Sequence, residues 1–157
     1  MSERLPAGCR LVEGVMTSLS TAGECNIAPM GPIVDDTWQR FTLRPFRTSS
    51  TYRNIKATGC SVFHVTDDVL LIARGAVGQV RPGDGTIGNR TKQPAAVQGL
   101  VLTDACRYYE LQVDSLDAAA DRTRIERRAV AGETLRVFIG FNRGNTQMTT
   151  AASLGTR

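Results

Sequence analysis

Lysine and histidine are nearly missing from this chain. Of its 19 lysines and arginines over 157 residues only Lys56 and Lys92 are lysines, and His64 is the one histidine. None of the four cysteines, Cys9, Cys25, Cys60 and Cys106, is spaced from another as in a metal knuckle, so a Cys/His zinc site has no support. Free thiols in a reducing compartment explain them with least machinery. A nucleophile–histidine device would have to run through His64, which sits inside Cys60-Ser61-Val62-Phe63-His64-Val65, a strand-like stretch rather than a catalytic loop. No apolar run reaches the roughly 18 residues of a membrane span. The opening Met1-Ser2-Glu3-Arg4-Leu5-Pro6 lacks an apolar signal core and reads as a cytoplasmic start. A net charge of +4 without clustering on one face also argues against nucleic acid as a partner. The one dense group, Arg122, Arg124, Arg127 and Arg128, contains no aromatic residue. It reads as a solvated strand, with the first pair on one face and Arg127 on the other.

What the chain does contain suits a globular domain. Hydrophobic residues make up 41% and charged residues 22%, and the length predicts one domain spanning 1–157. Leu11 to Ser20 reads as a strand closed by the turn Thr21-Ala22-Gly23-Glu24, and Cys25 to Val34 as its hairpin partner. Pro29 and Pro32 cannot donate to a ladder, so the partner must be an edge, irregular in its second half. Trp38 to Leu43 follows as a strand. Thr48, Ser49 or Ser50 caps a helix ended by Gly59. Ser61 to Thr66 is a strand, and Asp67-Asp68 caps a short helix through Ala73. Residues 78–99, rich in Gly, Pro, Asn and Gln, form a surface loop in this reading. Arg107 to Asp114 alternates clearly and pairs with Thr123 to Val130. Leu135 to Phe138 is a further short apolar element, and residues 144–157 are a weakly helical tail. This pattern predicts a mainly β fold, a small barrel with two or three helices, rather than alternating βαβ units.

The chemistry concentrates in Leu43-Arg44-Pro45-Phe46-Arg47-Thr48-Ser49-Ser50-Thr51-Tyr52-Arg53-Asn54. A helix N-terminus offers unpaired amides and a partial positive charge, a natural phosphate seat. Here two arginines precede it and four hydroxyl residues line it, more than a cap requires. The alternative is a well-capped helix with solvated arginines. Asn26-Ile27-Ala28-Pro29-Met30-Gly31 would let a flat ring approach the backbone, though it also suits an ordinary edge strand. Val65-Thr66-Asp67-Asp68 is either a polar contact or only a cap, and Phe141-Asn142-Arg143 combines an aromatic ring, an amide and a guanidinium.

In this order along the chain, Asn-x-Ala-Pro-Met, Arg-Pro-Phe, Thr-Tyr-x-Asn, Val-Thr-Asp-Asp, Cys106-Arg107-Tyr108-Tyr109-Glu110 and Gly140-Phe141-Asn142-Arg143 resemble the FMN-binding split-barrel superfamily. The match is closest to a branch of it known as a domain of unknown function, over residues 11–143. The resemblance implies a six-stranded antiparallel Greek-key split barrel, usually a homodimer, with FMN near the subunit interface. Carried over, Arg44, Thr48, Ser49 and Thr51 would hold the phosphate, Pro45 and Phe46 would complete the loop, and Arg47 and Asn54 would support it. Ala28, Pro29 and Met30 would lie along the isoalloxazine ring, Thr66 and Asp67 near its other edge, and Asn142 or Arg143 would reach across the dimer. The implied activity is a flavin-dependent reductase of a small substrate, pterin-like by the branch's association with methanopterin-linked metabolism. The alternatives are a flavin-binding or sensing module without turnover, and a phosphoanion-binding domain that takes no flavin. The cofactor would carry the hydride chemistry, which agrees with the want of an acid–base pair or metal motif.

Overall fold

A computed structural model of the protein describes residues 4–78, 80 and 90–140. The elements in chain order are β1 (Arg10–Leu11), β2 (Gly14–Leu19), β3 (Cys25–Met30), β4 (Ile33–Val34), β5 (Arg40–Leu43), α1 (Ser50–Thr58), β6 (Cys60–Val65), α2 (Val69–Ala76), β7 (Thr91–Lys92), β8 (Val101–Leu102), β9 (Arg107–Asp117) and β10 (Arg124–Thr134). Eight strands form one antiparallel sheet in the order β1-β4-β5-β10-β9-β6-β2-β3, curled into a half-barrel, while β7 and β8 pair separately. The fold class is the one expected, but the sheet has eight strands rather than six. The two extra ones, β1 and β4, are two residues each and pair with one another. Pro32 breaks the run expected from Cys25 to Val34, so β3 ends at Met30 and β4 crosses to the other side of the sheet order. The prolines act as expected otherwise: Pro29 pairs with Val15 on β3, which is an edge strand.

Inside the curl lies a core of Met16, Val34, Phe41, Leu43, Tyr52, Ile55, Phe63, Leu111 and Ile125. Helix α1 supplies Tyr52 and Ile55 to it. Its Ser49 cap accepts from the Tyr52 amide at 3.1 Å, and Gly59 closes it at φ 71° with its amide on the Ile55 carbonyl. Helix α2 begins at Asp68, whose carboxylate accepts from the Leu71 amide, and packs Leu71 and Ile72 against Val15 and Ile27 on the outer side of the β2–β3 hairpin. Gly14 is obligatory where β2 passes β6, because a Cβ there would fall 2.2 Å from the His64 carbonyl oxygen.

Three expectations need correction. Leu135 to Phe138 forms no element: β10 runs on to Thr134, after which Val137 and Phe138 are exposed. Residues 90–99, the larger described part of the expected 78–99 loop, are not simply a surface loop. Thr91–Lys92 pairs with Val101–Leu102, and the amides of Ala95, Ala96 and Val97 converge on the buried carboxylate of Glu110 at 3.1, 2.6 and 3.2 Å. Finally, Arg127 is not solvated. It is 1% exposed on the core face, where Nη1 donates to Ser61 Oγ at 2.5 Å and Nη2 to the Leu111 carbonyl at 2.8 Å. The expected tail 144–157, with the motif residues Phe141, Asn142 and Arg143, lies outside the described residues.

Candidate functional site

A groove of about 940 Å³ opens between β3, β5, the start of α1 and the base of the β9–β10 hairpin. One wall is Ala28, Pro29, Met30 and Gly31, where the edge strand breaks toward Pro32 and offers flat, uncharged surface. The opposite wall comes from Arg40 and Thr42 on β5 and from Arg122, Arg124 and Glu126 at the start of β10. The floor at one end is Arg44, Pro45, Phe46, Ser49 and Thr51, the entry to α1. Residues Arg4 to Pro6, with Cys9, Leu11 and Glu13, reach it from the N-terminal side. Among the described residues, five arginines and three carboxylates, Glu13, Asp35 and Glu126, line the groove, so its described lining has two more positive than negative groups.

Several of those charges are already held. Arg124 Nε meets Glu126 Oε1 at 2.8 Å, and Glu126 Oε2 accepts from Thr42 at 2.8 Å. Asp35 accepts from the Gln39 and Arg40 amides and from Thr37. These bonds keep its carboxyl below the usual range against the opposing effect of desolvation. Arg122 donates from Nε to the Arg44 carbonyl at 2.8 Å and lies over the Phe46 ring at 4.8 Å, so its position is held by both a hydrogen bond and a cation–π contact. At the helix start, Thr51 is 3% exposed and accepts from Asn26 Nδ2 at 3.1 Å, which leaves its own hydroxyl proton to donate. Ser49 is different: its hydroxyl donates to the Phe46 carbonyl at 2.7 Å while accepting from Tyr52, so it is committed to the cap.

Of the residues singled out in the sequence, the groove thus gathers Ala28, Pro29, Met30, Arg44, Pro45, Phe46, Ser49 and Thr51. Arg47 turns away, pairing with Asp121 at 3.0 Å and with the Ala118 carbonyl. Thr48 is exposed and its carbonyl accepts from Arg53. Asn54 is buried, donating to Ser18 Oγ at 3.1 Å, and serves to dock α1 on β2. Thr66 accepts from the Asp68 amide as part of the α2 entry. Asp67 makes a two-pronged pair with Arg136, Nη1 to Oδ2 at 2.9 Å and Nη2 to Oδ1, and that guanidinium holds its carboxyl below the usual range. Neither Thr66 nor Asp67 lines this groove.

Arg122 and Arg124 were the residues the sequence reading missed. Period-2 alternation did place them on a shared face, away from Arg127, but gave no sign that β10 would set that face beside the α1 entry. His64 is fully buried, set between the Val15 carbonyl at 3.1 Å from Nδ1 and the Leu102 amide, which donates to Nε2 at 3.0 Å. Burial lowers its pKa to about 4, so it is a neutral structural ring.

A family model described as protein of unknown function (DUF447) N-terminal domain matches residues 12–136. The chain belongs to that family. No curated protein matches this DUF447 domain in sequence. Among solved structures it is similar to an FMN-bound DUF447 protein from Methanosarcina mazei, at 17% identity and a TM-score of 0.74, over 91% of this chain and 72% of that one. It is also similar to the 2-nitrobenzoate 2-nitroreductase of Pseudomonas fluorescens, at 18% identity and a TM-score of 0.64, over 80% of this chain and 64% of that one. A third likeness is to an FMN-binding protein from Thermus thermophilus, at 14% identity and a TM-score of 0.63, over 86% of this chain and 78% of that one. The DUF447 domain therefore has the split-barrel fold. No helix among its described residues is long and apolar enough to cross a membrane.

Proposed function

We propose that this DUF447 domain is an FMN-binding flavoprotein, working as a flavin-dependent reductase of a small substrate. The observation that carries the reading is the arginine-rich groove at the α1 entry: its described lining has five arginines against three carboxylates, which suits a phosphomonoester dianion. Arg44 and the Thr51 hydroxyl would bind that phosphate, with Arg122, hydrogen-bonded to the Arg44 carbonyl, bracing the loop. Ala28, Pro29 and Met30 offer the uncharged wall along which the isoalloxazine ring would lie. A groove of about 940 Å³ is within the roughly 300–1,000 Å³ of small-molecule sites. The FMN-bound relative supports the same assignment. When bound, FMN supplies the hydride chemistry, and the chain's own residues anchor, orient and screen it. Two copies would share the work as a homodimer with the cofactor near their interface. The exposed Val137 and Ile139, 76% and 85% accessible, are apolar surface available to such a contact. A pterin-like molecule is the acceptor to try first, on the strength of the family resemblance.

Titrating the purified protein with FMN should produce the bands and fluorescence quenching of a bound oxidised flavin, and inorganic phosphate should compete. No binding would refute the assignment. Binding without oxidation of NADH, NADPH or another donor would leave a flavin module and remove the reductase.

A further inference from the structure

A second cavity, of about 400 Å³, lies at the other end of β10 and shares no lining residue with the first groove. It is built around a kink. The register of β10 against β9 slips between Ala129 and Ala131, so Val130 has no partner opposite it, and the strand bends away to open the space. Ala129, Val130 and Ala131 form an aliphatic side, and Arg107, Gln39 and Glu133 bring the polar groups.

The charges there are unequally engaged. Glu133 is neutralised by Lys92 at 2.7 Å and receives the Tyr108 hydroxyl at 3.2 Å. Arg107 makes no side-chain ion pair or hydrogen bond among the described residues; its guanidinium carbon lies over the Trp38 ring, 4.5 Å from the centroid. Trp38 in turn stacks on Tyr109, with centroids 5.1 Å apart and planes at 13°. The cation–π contact restrains the fork, and none of its N–H donors is taken by another described residue. Trp38 is also the described non-glycine residue with positive φ, at 57°, in the β4–β5 turn, where glycine or asparagine would sit without strain. The residue at this strained position is thus the indole that lies beneath Arg107.

We propose that this cavity binds a small aromatic carboxylate, the carboxylate taken by the Arg107 fork and the flat body laid against the aliphatic side of the β10 bulge. One uncompensated positive charge fits a monoanion, which sets this site apart from the phosphate-sized excess of the first groove. Benzoate is the probe. In amide NMR of the intact protein, benzoate at millimolar concentration should shift Arg107, Val130 and Gly132 saturably, with FMN present or absent. The fluorescence of Trp38, the one tryptophan of the chain, should change with the same midpoint. Arg107→Gln should weaken benzoate by about tenfold or more, the loss of a charge-assisted pair. Arg107→Lys should fall between, and benzyl alcohol should not bind. Absence of saturable shifts, shifts confined to Arg44 and Thr51, or an unchanged affinity in a folded Arg107→Gln protein would each overturn the proposal. Failure of FMN binding would leave it standing.

Discussion

Replacing Arg44 by alanine tests the groove at the point where phosphate and ring make separable demands. The guanidinium lines the floor beside the α1 entry, and its removal takes one of the five arginines from the described lining of the groove. Coulomb's law at an effective dielectric of about 20 gives ~4 kcal/mol for unit charges 4 Å apart. Arg44 is exposed, so solvent screening reduces that figure. Charge-assisted hydrogen bonds measured by deletion are worth about 1.5–3 kcal/mol, the better guide here. The Kd for FMN should therefore rise by about 10- to 100-fold. Riboflavin has the same ring without the phosphate, and its Kd should move less than about threefold. Flavin-fluorescence quenching with both ligands, in low and in high salt, measures this directly. The wild-type preference for FMN should shrink as salt rises. Arg47→Ala is the control, since Arg47 faces Asp121 instead of the groove and should leave both affinities nearly unchanged. If Arg44→Ala weakens riboflavin as much as FMN, or neither, the phosphate is not held there and the cofactor assignment loses its physical basis.

Two further outcomes concern the frame around the groove. Glu110→Gln leaves one acceptor oxygen for three converging amides and turns an NH₂ group toward them, so it should cost about 2–3 kcal/mol. Denaturant melts would read the loss and hydrogen exchange would show Ala95 to Val97 opening, whereas unchanged protection would mean the carboxylate does not hold that segment. For His64 the folded pKa, about 4, lies below the ordinary 6.5, so the unfolded chain takes up its proton first. Stability should then fall with acidification from about pH 6.5 to 4, by ~3 kcal/mol in all. His64→Gln can keep one donor and one acceptor without titrating and should flatten that limb of the stability–pH curve. An identical curve for wild type and variant would show that other groups produce it.

Local signals in the sequence were enough wherever short-range chemistry decides structure. Ser49 and Gly59 bound α1, Asp68 starts α2, Pro29 sits on the edge strand β3, and Pro32 follows its end, each as its side chain or missing donor requires. The α1 entry and the Ala28-Pro29-Met30 wall were legible for the same reason, and the fold then brought them to one groove. What the sequence did not disclose depends on long-range contact. Alternation along β10 separates Arg124 from Arg127 correctly, but charge alone suggests that both faces are wet. The clue lay in Ile125, two residues before Arg127 and on its face: a fully buried isoleucine marks the side turned to the core. Thr66 and Asp67 read as either ligand contacts or caps, and no local signal foretold Arg136, which pairs with Asp67 from 69 residues away.

The buried Arg127 explains why β10 can serve two ends. Its guanidinium bonds to Ser61 on β6 and to the Leu111 carbonyl on β9, with the Gly59 carbonyl at 3.5 Å, so one side chain ties three neighbouring strands at their curl. No carboxylate partners it among the described residues, its Nε has no hydrogen-bond partner, and burial draws its pKa down to about 9. A group so placed is expensive to bury, and an apolar side chain of similar volume would often serve stability as well or better. What it supplies is direction, since its donors accept only one mutual placement of the carbonyls around it. The next residues outward, Arg124 and Glu126, line the groove from the opposite face of the strand, and the bulge beyond opens the second cavity. Substitutions on β10 should therefore divide by parity. Changes at 124 and 126 should act on ligand affinity, and changes at 125 and 127 on the curvature that positions both sites.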